Sequence, residues 1–224
     1  MNGAGKRAWG GVVVAAFLAL AIAAAGPAWA DSAGQKGKAK AVEQMAEFRQ
    51  QLEGISQQID VTLGALTKVS DAANSDPRPA FTEFCKAHDK MADMVKDIRS
   101  DAQSLQKNGQ KLFDAWQKQL GTMSNPEIKA KAEERKAALQ GFFEKVKTSM
   151  QAGKDAGGPF ASDLKDIRTY LTNDLTPAGI NMMKDTIAKA NTNGGTVKSS
   201  IGEVLAAVDA FKNEISPTAA PAAN

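Results

Sequence analysis

Apolar residues recur along this chain at alternating steps of three and four, in four long stretches. The most regular is Phe81, Phe84, His88, Met91, Val95, Ile98, Ala102, Leu105, Gly109, Leu112, Trp116. A last stretch is equally regular: Ile180, Met183, Ile187, Ala190, Gly194, Val197, Ile201, Val204, Val208, Phe211, Ile215. Each series lies along one stripe of a helix, and a sustained period near 3.5 favours left-handed supercoiling around a partner helix. A first stretch runs Met45, Phe48, Leu52, Ile55, Ile59, Leu63, Leu66, Val69, with a phase slip between Ile59 and Leu63. The third runs Ile128, Ala132, Arg135, Leu139, Phe142, Val146, Ser149, Gly153, Gly157, Phe160, Leu164, Ile167, Leu171. Small and polar residues fill its middle, so it is the weakest of the four.

Turn chemistry separates the stretches. In NSDPRP, residues 74–79, two prolines and an aspartate stop one helix and start the next. In GTMSNPE, residues 121–127, Gly121 is a stop, Ser124 and Glu127 have capping-box spacing, and Pro126 suits a first turn. In NDLTP, residues 173–177, Thr176 is an N-cap and Pro177 the first helical residue. Short connections make successive helices antiparallel neighbours. The second helix, near 79–121, would be about 60 Å long at 1.5 Å per residue. The predicted fold is therefore all-α: an elongated antiparallel four-helix coiled-coil bundle, up-down-up-down, over residues 40–216. Gly157-Gly158-Pro159 should kink the third helix near Pro159 without dividing it, because the apolar phase continues to Phe160 and Leu164.

The ends of the chain read differently. Residues 1–30 form a secretory signal: Lys6 and Arg7, the apolar run from Gly11 to Ala25, then Ala28-Trp29-Ala30 for cleavage after Ala30. The apolar run is shorter than a spanning helix requires. Cleavage predicts an exported, periplasmic or secreted protein. A Lys-rich start, residues 31–39, is expected to be loose, and residues 217–224 to form a disordered tail. Cleavage takes Lys6 and Arg7 from 28 Lys and Arg and leaves all 25 Asp and Glu, a net charge of about +1. That balance argues against a nucleic-acid partner. A single cysteine makes no internal disulfide, so packing must hold the fold.

Cys85 and His88 are the one cysteine and the one histidine. With Met91 and Met94 they make an i, i+3 stripe of thiol, imidazole and thioethers, the ligand types that hold Cu(I). The same positions sit in or beside the packing seam, and a core role is the stronger reading. A zinc site needs more ligands than this local set provides. No nucleophile elbow and no phosphate-cradling loop occurs. Glu133 and Glu134, followed by Arg135 and Lys136, read as a solvated face with i, i+4 ion pairs. No catalytic residue and no cofactor is therefore assigned, and an enzyme is the least favoured class.

Glycines at Gly109, Gly153 and Gly194 occupy seam positions. Asn191-Thr192-Asn193-Gly194-Gly195 is a polar island in the last helix. If the last two helices are antiparallel, it falls level with Gly157-Gly158, which points to a hinge or a water-filled gap.

LFDAW (112–116), GGPF (157–160), DLTPAGI (174–180) and AFKNEI (210–215) resemble an uncharacterised bacterial family of exported helical proteins, classed as a domain of unknown function. Many of its members are lipoproteins, whereas this chain lacks a lipid-accepting cysteine after the apolar run. The resemblance implies a helical bundle and carries no active residues. The expected function is a structural or protein-interaction module of the cell envelope, docking an envelope protein through its helix faces. The alternatives are a peripheral membrane-binding rod, drawn from Lys36, Lys38 and Lys40, and a periplasmic chaperone or soft-metal binder. Oligomeric state has no signature in the sequence.

Overall fold

The structure is a computed structural model that describes residues 31–215, with side chains from Glu43 to Glu214 apart from Leu112 and Ala115. Residues 1–30, expected to be a signal, and residues 217–224, expected to be a disordered tail, lie outside the described residues. Five helices follow one another: α1 (Asp31–Asp71), α2 (Arg78–Leu120), α3 (Pro126–Asn173), α4 (Pro177–Met182) and α5 (Lys184–Ile215). No strand occurs among the described residues. None of these helices is long and apolar enough to cross a membrane. The Lys-rich start, expected to be loose, belongs to α1, which begins at Asp31.

The breaks follow the local chemistry, with two corrections. Asp76 ends the first turn: its Oδ1 accepts from the Arg78 backbone N–H at 3.2 Å and from Arg78 Nε at 2.7 Å. Asn125, not Ser124, caps α3, its Oδ1 accepting from the N–H groups of Glu127 at 3.0 Å and Ile128 at 3.2 Å. The reason is Pro126. It disfavours the helical region for the residue before it, and the extended backbone of Asn125 (ψ 115°) is the geometry of an N-cap. Thr176 caps α4 as expected, accepting from the Gly179 N–H at 3.1 Å. The last helix is not continuous. At Met183 the backbone N–H turns back to the Ile180 carbonyl at 3.1 Å, a three-residue step that separates α4 from α5.

α3 runs unbroken through Pro159, 48 residues in all. Laterally, α1 touches α2 and α5, and α3 touches α2 and α5; no Cα atoms of α1 and α3, or of α2 and α5, come within 8 Å of one another among the described residues. Side-chain links show the register. Gln51 meets Asp101 and Lys68 meets Glu83. Arg49 meets Asp209 and Asp60 meets Lys198. Within each contact, higher-numbered residues of one helix meet lower-numbered residues of the other.

The buried core follows the apolar stripes with small corrections. The phase slip in the first stretch is absent: Thr62, fully buried, takes the position after Ile59, and Leu66, Val69 and Ala73 continue the series. Its hydroxyl donates to the Gln58 carbonyl at 2.8 Å, so a polar side chain can occupy the seam. Of the adjacent Phe142 and Phe143 of α3 it is Phe143 that is buried, and Phe113 of α2, outside the expected stripe, is buried too. An α-helix of 3.6 residues per turn drifts from a strict 3.5 repeat over this length.

Candidate functional site

The Cys85–His88 face of α2 lies against the C-terminal half of α3. Phe84, wholly buried, anchors it, and its ring sits 6.1 Å from the His88 ring. Arg168 of α3 crosses to meet it. Its Nη1 lies 3.1 Å from His88 Nδ1 and also contacts Asp89 Oδ1; its Nη2 donates to Asp89 Oδ2 at 3.1 Å. A guanidinium has donors only, so His88 Nδ1 accepts, and the ring is neutral with its proton on Nε2. Burial and, after it, the Arg168 charge hold the imidazole below its ordinary value. Arg168 holds the Asp89 carboxyl below the usual carboxylate range. Burial pushes the Cys85 thiol up, outweighing the nearby guanidinium. A thiol held protonated is a poor nucleophile and a poor ligand.

The other two residues of the stripe face elsewhere. Met91 is in the core. Met94 places its Cε 3.3 Å from where a Cβ on Gly54 would stand, on the α1 side. The structure therefore divides the stripe: His88 is tied to α3, Met91 is buried, and Met94 packs on α1. Among the described residues no three His, Cys, Asp or Glu side chains form a group that could hold a metal ion. The chemistry of the cluster is that of a strut, in which one arginine ties together a histidine and a carboxylate of the neighbouring helix.

A second polar cluster was not visible in the sequence. Asp163, only 6 % exposed, lies between Phe160 and Leu164 on α3. Its Oδ1 accepts from Lys189 Nζ at 2.9 Å and its Oδ2 from Asn193 Nδ2 at 2.6 Å, both on α5. Asn193 belongs to the polar island, which thus serves to satisfy a buried carboxylate. The signal for it was an aspartate inside an apolar stripe, a position that requires a partner. Gly194 beside it is closely packed: a Cβ there would stand 2.7 Å from Leu63 Cδ1 and 3.2 Å from the Phe160 ring. The expected gap is therefore filled at Gly194, whereas Gly157, Gly158 and Gly195 border open space.

The charged stretch at 133–136 also works between helices. Arg135 Nη1 reaches Glu214 Oε2 at 2.7 Å on α5, and Lys136 Nζ reaches Gln117 Oε1 at 2.6 Å on α2.

A family model described as protein of unknown function (DUF2959) matches residues 28–215. The chain belongs to that family. The match takes in all five helices, both polar clusters and every motif on which the resemblance to a domain of unknown function rested. No curated protein and no solved structure matches the chain.

Proposed function

We propose that this protein is a non-enzymatic, exported helical module that binds a protein partner in the cell envelope. Its proposed architecture is an elongated antiparallel four-helix coiled coil, up-down-up-down, bent near Pro159, with α4 as the first turn of the fourth rod. The observation that carries the reading is the use of the titratable groups. The single histidine, the arginine facing it and the buried aspartate are each engaged in a link between helices. The groups best placed for chemistry thus hold rods together, and the long charged outer faces remain as the surface for recognition.

Photo-crosslinking in the native cell tests this. Probes at exposed positions of α2 and α5 should capture a discrete envelope protein repeatedly. Lipid adducts alone would favour a membrane-bound rod, and many unrelated adducts would favour a chaperone; either result overturns the module.

A further inference from the structure

The contact between α2 and α3 is closed at its two ends and open in its middle. At one end a Cβ on Gly109 would run into the Phe143 ring, and the Phe113 and Phe143 rings lie 5.6 Å apart. At the other end Arg168 bridges to His88 and Asp89. Between them, no residue from 92 to 108 of α2 and none from 147 to 159 of α3 is buried. The cause lies in α3: KTSMQAGKDAGGP offers one large apolar side chain, Met150. A Cβ added at Gly157 or Gly158 would meet nothing within 4 Å. The open stretches extend about 25 Å along α2 and about 20 Å along α3, at 1.5 Å per residue. The core beneath stays packed through Leu52, Ile55, Val197 and Ile201. Val95, Ile98, Leu105 and Met150 lie half-buried upon it as a floor.

Helix geometry places the rim. Five turns, about 18 residues, return an α-helix to the same azimuth, and three turns, about 11 residues, nearly do. Gln117 and Lys136 bond across the contact. Five turns inward from that pair stand Arg99 on α2 and Lys154 on α3; three turns inward stand Gln106 and Lys147. Two cations thus stand at one level on opposite banks. Both are exposed, and neither has an ion pair or hydrogen bond with the described residues. Like charges there oppose closure of α2 on α3.

We propose that this seam is the docking groove for an acidic amphipathic helix of a partner protein. It rests on the interaction-module reading above. The apolar stripe of the partner would lie on the floor, and its carboxylates would meet Arg99 and Lys154; Lys147 is already paired with Glu144 at 2.9 Å. The open length accommodates three to four helical turns. Charge selects the occupant: a second copy presenting the same seam would bring cations onto cations.

The test places photoreactive benzoylphenylalanine at Gln106, in the seam, or at Val61, exposed on α1, in the full chain in its native cell. Each is compared with and without Arg99→Glu and Lys154→Glu together. The expected result is a discrete protein adduct from Gln106, crosslinked through an acidic amphipathic helix. Charge reversal should reduce it at least about tenfold, with circular dichroism unchanged. An adduct undiminished by reversal, or one of lipid mass, overturns the proposal. A discrete partner caught only from Val61 overturns it too but leaves the interaction module standing; no discrete adduct from either position removes both. In the purified protein, Arg99→Glu alone puts a carboxylate level with Lys154 and should raise Tm by about 1–2 °C. Absence of any rise overturns the placement of those two residues across the seam.

Discussion

The stripes of α2 and α5 are equally regular as patterns and differ in what becomes of them. On α5, Ile187, Ala190, Val197, Ile201, Val204, Val208 and Phe211 are all buried. On α2, burial is confined to the ends, at Phe84, Ala87 and Met91 and again at Phe113, Trp116 and Leu120, while Val95, Ile98, Ala102 and Leu105 are only half-covered. The difference lies in the helix opposite. α5 packs along both α1 and α3, each of which brings aliphatic and aromatic side chains. The middle of α2 has α1 on one side, but on the other meets the part of α3 that carries threonine, serine, glutamine, lysine and glycine. An amphipathic pattern states what a helix can bury, and its neighbours decide how much it does.

Paired substitutions measure that difference. The largest effect is expected from Ile201→Ala, which should cost about 2–5 kcal/mol by the usual sum of transfer and cavity terms. Ile98→Ala in the open seam should cost less, about 1–2 kcal/mol, since part of that side chain already meets water. Urea unfolding at constant m value reads both; equal losses would mean that the seam is closed.

Next in size is Asp163→Ala, expected to lose about 1–3 kcal/mol by leaving the Asn193 amide without its acceptor. Glycine changes should be smaller and opposite in sign across the two regions. Gly157→Ala enters open space and should stabilise by about 0.5–1 kcal/mol through helix propensity. Gly194→Ala should yield no such gain, because its Cβ would press on Leu63 and Phe160.

The smallest effect is a pH dependence at the closed end of the seam. The folded His88 is held below its ordinary value of 6.5, so the unfolded chain takes up the proton first as pH falls. This contribution to stability is present above about pH 6.5 and is lost as pH falls through the folded-state value. Asp89, also held low, loses its contribution only further down, as pH falls below the ordinary carboxylate range toward its folded-state value. The urea midpoint should therefore drop between pH 7 and pH 5, and the drop should flatten in His88→Gln. An unchanged slope in that variant would show that the folded protein does not hold the imidazole low.

Much of this was legible in the sequence because it is local. Asp76, Pro126, Thr176 and Pro177 act within a turn of their own positions, so the helix boundaries near them could be read directly. The thin middle of the third stripe was also visible, as glycine and polar residues where apolar ones should stand. The Met183 break was not, since the residues on either side of it keep the stripe in phase. Nor was the Asp163 cluster, whose lysine and asparagine lie on another helix.

By itself the sequence determined an all-helical chain, its principal breaks and which side of each rod is apolar, because propensity, capping and periodicity act over one to three turns. Only the tertiary structure decided that Arg168 takes up His88, that Thr62 fills the seam after Ile59, and that the weak stretch of α3 opens its contact with α2 and leaves the core of α1 and α5 intact. Those outcomes depend on which residues stand level across neighbouring rods. Register between helices is set by the sum of all their contacts, a quantity that no single stretch of chain contains.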